Sequence, residues 1–330
     1  MWKILFRIAL LFLGVSGYNL VLSKEENDAL QQYCGTGMTI PSKFNRKITN
    51  GVEAQFDDAP WIAKVWLKKY VNTNEVGYNT GTLISPKHVL TYGRTFDFRQ
   101  NDGNYNINLP YQSTINAYCQ GTDYVMDPEF TRFASANFEI DGVVYTHRVQ
   151  KVTVLEKCKD LNNVNRPMIL ELAEPLKHYK IKPICVENSH AKWRTSNRIK
   201  FFGYGDSSFQ GQGQRFHSIM MKSTKCDVME SDVVCAAPTG IGMLNWGDQG
   251  GSAITRTGNQ LVLSGIFIDQ RFQKSGMAVD KSYTHTSYKF ASIASYYDKI
   301  CKLTGICRKM HWARDQFKNE NTNFTLFAGL

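Results

Sequence analysis

The stretch GTLISPKHVLT, Gly81–Thr91, opens on a glycine and runs through Leu, Ile, Val and Thr with a proline between its two apolar halves. Residues of this type fit a pleated, half-buried surface, and their shortness fits strands rather than helices. Similar runs lie on both sides: AKVWL (63–67), GVVYTHRVQKVTVL (142–155), MILEL (168–172), Ile199 to Phe202 and QLVLSGIFI (260–268). Gly, Asn, Asp and Pro separate them, and Arg256-Thr257-Gly258-Asn259 between two apolar runs has the composition of a hairpin turn. From Ile48 onward the pattern is that of an all-β sandwich or barrel.

The flanks read differently. Near the C-terminus, Ser287 to Ile300 places Phe290, Ile293, Tyr296, Tyr297 and Ile300 at helical spacing, which predicts a terminal amphipathic helix. The remainder, Cys301 to Leu330, is polar and basic and reads as a tail. Upstream, Ser23 to Gln32 reads as a short helix with Ser23 as its N-cap and Glu25 and Glu26 in the first turn. At the start, Lys3 and Arg7 precede the apolar run Ile8 to Val15, and small residues close it by Gly17, the pattern of a secretory signal peptide. That run is too short to cross a bilayer, and no later stretch approaches the required length, so no membrane association is expected. No internal repeat and no linker rich in Pro, Gly or Ser is visible, which argues for one domain with extensions.

Composition narrows the function. With 42% hydrophobic and 21% charged residues the chain is globular. Its eight cysteines (34, 119, 158, 185, 226, 235, 301 and 307), an even set on a secretory route, are expected in disulfides. None is spaced as CxxC and histidines are scarce around them, so neither a metal nor another cofactor is expected. Formal net charge is +10, and losing Lys3 and Arg7 with the leader leaves +8. The cations are scattered in pairs such as Lys68-Lys69 and Arg308-Lys309, with no basic stripe or recognition motif, so nucleic acid is not an expected partner. Asn323-Phe324-Thr325 is an N-glycosylation acceptor.

Several segments, in order, resemble the trypsin/chymotrypsin-like serine proteases (the peptidase S1 fold). Arg46 to Gly51 (RKITNG) is similar to their activation junction, and Ala59-Pro60-Trp61 follows it. Gly81 to Ser85 with Val89-Leu90-Thr91 is similar to the strand leading to the catalytic histidine, and Asn165 to Leu172 (NRPMILEL) to the strand entered at the catalytic aspartate. Gly247-Asp248-Gln249-Gly250-Gly251 resembles the loop that presents the nucleophilic serine, and Ser287 to Ile300 the terminal helix. The likeness is closer still to a nematode trypsin-like family that shares the Lys-Glu-rich segment before the first Cys-Gly. It implies two packed six-stranded antiparallel barrels with a C-terminal α-helix. The expected divisions are a signal peptide (1–17), a propeptide-like segment (18–47), a trypsin-like domain (48–301) and a tail (302–330).

The same alignment empties the chemistry. Peptide hydrolysis on this fold needs a hydroxyl nucleophile, an imidazole base and a carboxylate to orient the imidazole. The corresponding positions hold Arg94 for the histidine, Arg166 for the aspartate and Gln249 for the serine. A guanidinium stays protonated and an amide is no nucleophile. The pocket-base position is Met243, and the substrate-pairing strand reads Ile268-Asp269-Gln270. Asp248 is kept where active members pair a carboxylate with the new terminus, here Ile48 after a cut at Lys47; backbone donors are the other expected partners. His88 and Ser252 stand a few residues away, but using them breaks the register; they read as a surface histidine and a loop serine.

Arg94 and Arg166 are expected to make the site cationic and to splay, share an anion or pair with an acid such as Asp97. The family's bonds beside the histidine and the serine loop are missing, with Asn79, Thr95 and Asn245 in cysteine places. The resemblance implies Cys34–Cys185, as a propeptide tether, and Cys226–Cys235; Cys119–Cys158 and Cys301–Cys307 are the remaining pairs, with other connectivities open. The leading expectation is a secreted, monomeric, non-catalytic protease homologue that binds a protein or peptide, with defence or digestive secretions implied by the family. The alternatives are an endopeptidase with a non-standard catalytic set and a storage glycoprotein.

Overall fold

The computed structural model describes residues 20–36, 52–68, 76–93, 119–126, 128–131, 134–160, 166–189, 193, 198–206, 214–226, 230–240, 243–245, 247–273 and 284–307. Six strands build the first barrel: β1 (Ile62–Lys68), β2 (Val76–Ser85), β3 (His88–Tyr92), β4 (Ala134–Ile140), β5 (Val143–Val154) and β6 (Pro167–Leu172). Six more build the second: β7 (Ile199–Asp206), β8 (Gln214–Thr224), β9 (Val233–Pro238), β10 (Ser252–Thr257), β11 (Gln260–Gln273) and β12 (Thr284–Ser292). All barrel pairings are antiparallel, and β5–β6 and β8–β9 close the two rings. Among the described residues, closure pairs every strand of the two six-stranded rings on both sides.

Sequence pattern explains the layers. Strand β4 alternates strictly, burying Ala134, Ala136, Phe138 and Ile140 while the residues between them face outward. Strand β6 is buried throughout and is paired on both sides, with β3 and β5. Around the first ring the strands run β1-β2-β3-β6-β5-β4; around the second, β7-β8-β9-β12-β11-β10. The two halves thus share one topology. The repeat absent from the sequence is present in the pairing order, since a barrel constrains which strands pair and not which apolar residue fills each place.

Two helices flank the barrels: α1 (Lys24–Tyr33) and α2 (Ile293–Thr304). Ser23 caps α1 in a full capping box with Glu26, as its sequence predicts. The terminal helix corrects the sequence reading. Residues 287–292 belong to β12, with Tyr288 and Phe290 buried in the second barrel, and the helix runs on through Thr304. Phe290 satisfies a helical stripe and a strand alternation equally well; its pairing with Phe267 across the ladder decides for the strand. Disulfides join Cys34 to Cys185, Cys119 to Cys158, Cys226 to Cys235 and Cys301 to Cys307. Such a set fits an oxidising, extracellular setting. No helix among the described residues is long and apolar enough to cross a membrane.

The barrels meet through apolar and polar contacts together. Trp61, fully buried ahead of β1, packs edge-on against Phe202 of β7 with ring centroids 5.6 Å apart, and its indole N–H donates to Ser252 Oγ of β10 at 3.1 Å. Ser252→Ala leaves that N–H buried without its acceptor and should lower stability by about 1–3 kcal/mol. In a urea-unfolding double-mutant cycle with Trp61→Phe, the two losses should fall short of adding; simple additivity would show that the bond contributes nothing.

Candidate functional site

The loop 247–251 sits between the barrels and is held from the first of them. Thr80 of β2 is fully buried and uses every polar atom it has: its N–H donates to the Gln249 carbonyl (2.9 Å), its hydroxyl donates to the Gly247 carbonyl (2.7 Å) and accepts the Tyr204 N–H (2.8 Å), and its carbonyl accepts from Thr91 Oγ1 (2.7 Å). Gly250 stands so close to this residue that a Cβ would lie 2.1 Å from the Thr80 carbonyl oxygen, and its φ of +83° is itself a glycine conformation. The loop is therefore placed by backbone and hydroxyl groups, with no catalytic side chain needed to hold its shape.

At the position matched to the nucleophile, Gln249 is buried, and its side-chain carbonyl accepts the N–H of Gly247 at 3.0 Å. The amide oxygen thereby occupies the backbone donor at the start of the loop. Beside it, Asp248 is fully buried, accepts the Asn245 N–H at 2.8 Å and lies with Oδ1 3.4 Å from His217 Nε2. That last separation is within ion-pair reach, though the alignment falls short of a hydrogen bond. Gly203 and Gly205 make room for the carboxylate, since a Cβ on either would come within 2.4 or 2.2 Å of its oxygens. Ile48 and Lys47 lie outside the described residues, as do Arg94, Thr95, Asp97 and Asn323.

Arg166 has partners that the sequence did not indicate. Its guanidinium pairs with Asp232, in the turn before β9, and donates to the Tyr296 hydroxyl of α2 at 2.9 Å, while that hydroxyl donates to the same Asp232 carboxylate at 2.5 Å. Burial opposes the cation, but Tyr296 and the Asp232 charge outweigh it and hold the pKa above the ordinary value. Burial also pushes the Tyr296 hydroxyl upward. Of the expected outcomes for Arg166, pairing with an acid is the one seen, the acid being Asp232 in a closed triad of barrel, barrel and helix. Just above, the Arg166 carbonyl accepts the N–H of Gly93 at 2.7 Å, so the backbone before the Arg94 position and the Arg166 position are adjacent.

The two neighbouring candidates are committed elsewhere. His88 is buried on β3 and not at the surface, with Nδ1 2.7 Å from Ser85 Oγ. Ser252 is not a loop residue but the buried first residue of β10, in the other barrel, accepting the indole N–H of Trp61. On the pocket side Met243 is half-buried, the Tyr288 hydroxyl takes the Leu244 N–H at 3.1 Å, and backbone pairing sets Asp269 opposite Lys289 and Gln270 opposite Tyr288. Asn79 lies on β2 opposite Val65, and Asn245 precedes the loop. Among the described residues no cluster of His, Cys, Asp or Glu is fit to hold a metal ion. Thr80, Asp232, Tyr296 and His217 went unnoticed as site residues because each acts through contacts distant in sequence, with no motif around it.

A family model described as the nematode trypsin-6-like family matches residues 3–307. No curated protein matches the chain.

Removing the counter-charge of Arg166 tests the triad. Asp232→Asn should cost about 1.5–3 kcal/mol, and the advantage of sulfate over chloride in raising the melting temperature at equal ionic strength should be larger in the variant than in the parent, whose own advantage is the general effect of an excluded salt. An equal sulfate advantage in the two proteins would mean that Asp232 does not neutralise Arg166. His88 supplies a pH test. Burial, then the Lys87 charge, pushes its pKa down to about 3, while the unfolded chain binds a proton near 6.5. The unfolded state thus takes up the proton first as pH falls, and the stability present above pH 6.5 is lost below it, at up to about 1.4 kcal/mol per pH unit. Between pH 7 and 5.5, the parent should lose roughly 1 kcal/mol more than His88→Gln; parallel losses in urea unfolding would refute the buried neutral imidazole.

Proposed function

Because the chain belongs to the nematode trypsin-6-like family, we propose that it is a protease-like protein without protease activity: a secreted homologue that acts by binding a protein or peptide partner. The observation that carries this reading is the Gln249 carboxamide. It stands where the resemblance puts the nucleophile, and its oxygen takes the Gly247 N–H, a donor of the loop that an active relative would aim at the developing oxyanion. A site that satisfies this donor with its own side chain is stable without substrate.

Arg166 supports the same reading. Paired with Asp232 and Tyr296, it has no means of orienting an imidazole, and Arg94 at the histidine position is a permanent cation. Triad members act as a unit, so replacing them removes on the order of a millionfold in turnover in related serine proteases. The rival pair His88 and Ser252 gains nothing from its surroundings, since one is bonded to Ser85 and the other to Trp61, in different barrels. Secretion is supported by the leader-like first 17 residues and the four disulfides, and defence or digestive secretions are the settings the family resemblance implies. A monomer is the expected state, and Asn323 is the proposed glycosylation site.

The purified protein should hydrolyse neither peptide nor ester substrates and should not be labelled by a fluorophosphonate, before or after trypsin treatment at Lys47. Labelling that disappears in Ser252→Ala, in protein still folded by circular dichroism, would establish an enzyme instead.

A further inference from the structure

Residues 20–36 precede the activation-like junction, yet they are built into the fold at three places. At the first, the fully buried Asn27 side chain of α1 grips Cys307 by both backbone groups: its amide nitrogen donates to the Cys307 carbonyl at 2.6 Å and its oxygen accepts the Cys307 N–H at 3.1 Å. Leu22, also buried, adds a backbone bond from its N–H to the Thr304 carbonyl at 2.9 Å, and Gly305 approaches it so closely that a Cβ would lie 2.4 Å from the Leu22 oxygen. The second place is the first barrel. Glu26, which completes the cap of α1 with one oxygen, takes Lys87 Nζ on the other at 2.9 Å.

The third is the second barrel. Gly35 accepts the Leu261 N–H at 2.9 Å and donates to the Pro183 carbonyl at 3.1 Å, while Gln260 donates its side-chain amide to the Gln31 carbonyl at 3.0 Å. Leu30 is buried between these anchors. A released propeptide needs an exposed, polar underside. This segment instead presents Leu22, Asn27 and Leu30 inward, and exposing them would leave both backbone groups of Cys307 without their side-chain partner.

We infer that residues 20–36 are a permanent strap of the domain, retained after any cut at Lys47–Ile48 by its non-covalent contacts alone, and that it fastens the small loop closed by Cys301–Cys307 onto the barrels. The Cys34–Cys185 bond is then a reinforcement and not the sole tether. Cleavage at the junction yields a two-chain protein and sets no peptide free. This holds whether or not the protein has activity, so it stands apart from the proposed function.

The test is a protein carrying Cys34→Ala and Cys185→Ala, with a site-specific protease sequence in place of residues 40–46, cut in native buffer and passed over a sizing column at low concentration. The N-terminal fragment should co-elute with the domain and part from it only in denaturant. Asn27→Asp, which turns a carboxylate oxygen toward the Cys307 carbonyl, should release it. A fragment that elutes alone from the cut protein with Asn27 intact overturns the inference. Should the tether-free protein fail to fold, hydrogen exchange on the intact disulfide-bonded chain decides. The amides of Leu22 and Cys307 should exchange as slowly as those of β2 and β3; exchange as fast as free backbone overturns the strap.

Discussion

Everything near the interbarrel loop hangs on one buried threonine. Thr80 belongs to the first barrel by its place in β2, but three of its four hydrogen bonds go to Gln249, Gly247 and Tyr204 of the second half of the chain. A hydroxyl that donates to one carbonyl and accepts one N–H cannot be replaced by a methyl group without stranding a buried polar atom on each side. The fourth bond, from Thr91, fixes the same residue to β3. Loop shape, barrel docking and the approach of β3 to the loop are consequently one constraint and not three. This is why the loop keeps its course with a glutamine at residue 249.

Charge is handled by the same economy. The described interior near the site holds a guanidinium and two carboxylates, and each has a neighbour of opposite character or a set of donors: Arg166 with Asp232 and Tyr296, Asp248 with the Asn245 N–H and His217. A bare buried charge costs several kcal/mol. Active members of such a fold keep charges available for substrate and for protons. Here the ionic groups are spent on holding two barrels and a helix together, which is the physical content of the proposed change from enzyme to binding protein.

The strands were legible because their alternation is local. Ala134 to Ile140 announces its buried face within seven residues, and the capping box at Ser23 and Glu26 declares the start of α1 within four. The terminal helix was legible in existence but not in its start, because Phe290 fits a stripe of either period and only its partner Phe267 distinguishes them. The matched positions Arg166, Asp248 and Gln249 were readable from glycine-rich and apolar surroundings of fixed spacing. Their partners were not. Asp232 lies 66 residues from Arg166 and His217 sits mid-strand, so nothing short of the folded pairing order brings them together.

Gly203 and Gly205 imply an order in which this chain is free to change over generations. While Asp248 remains, any side chain at either glycine meets its carboxylate at little more than 2 Å, so neither glycine is free to mutate first. The carboxylate must leave before they do, and its departure removes the acceptor of the Asn245 N–H and the acid beside His217. Each first step is therefore deleterious alone. The pocket works as a ratchet: whatever else changes at the cleft, the lineage goes on inheriting a buried acid and the two glycines that house it.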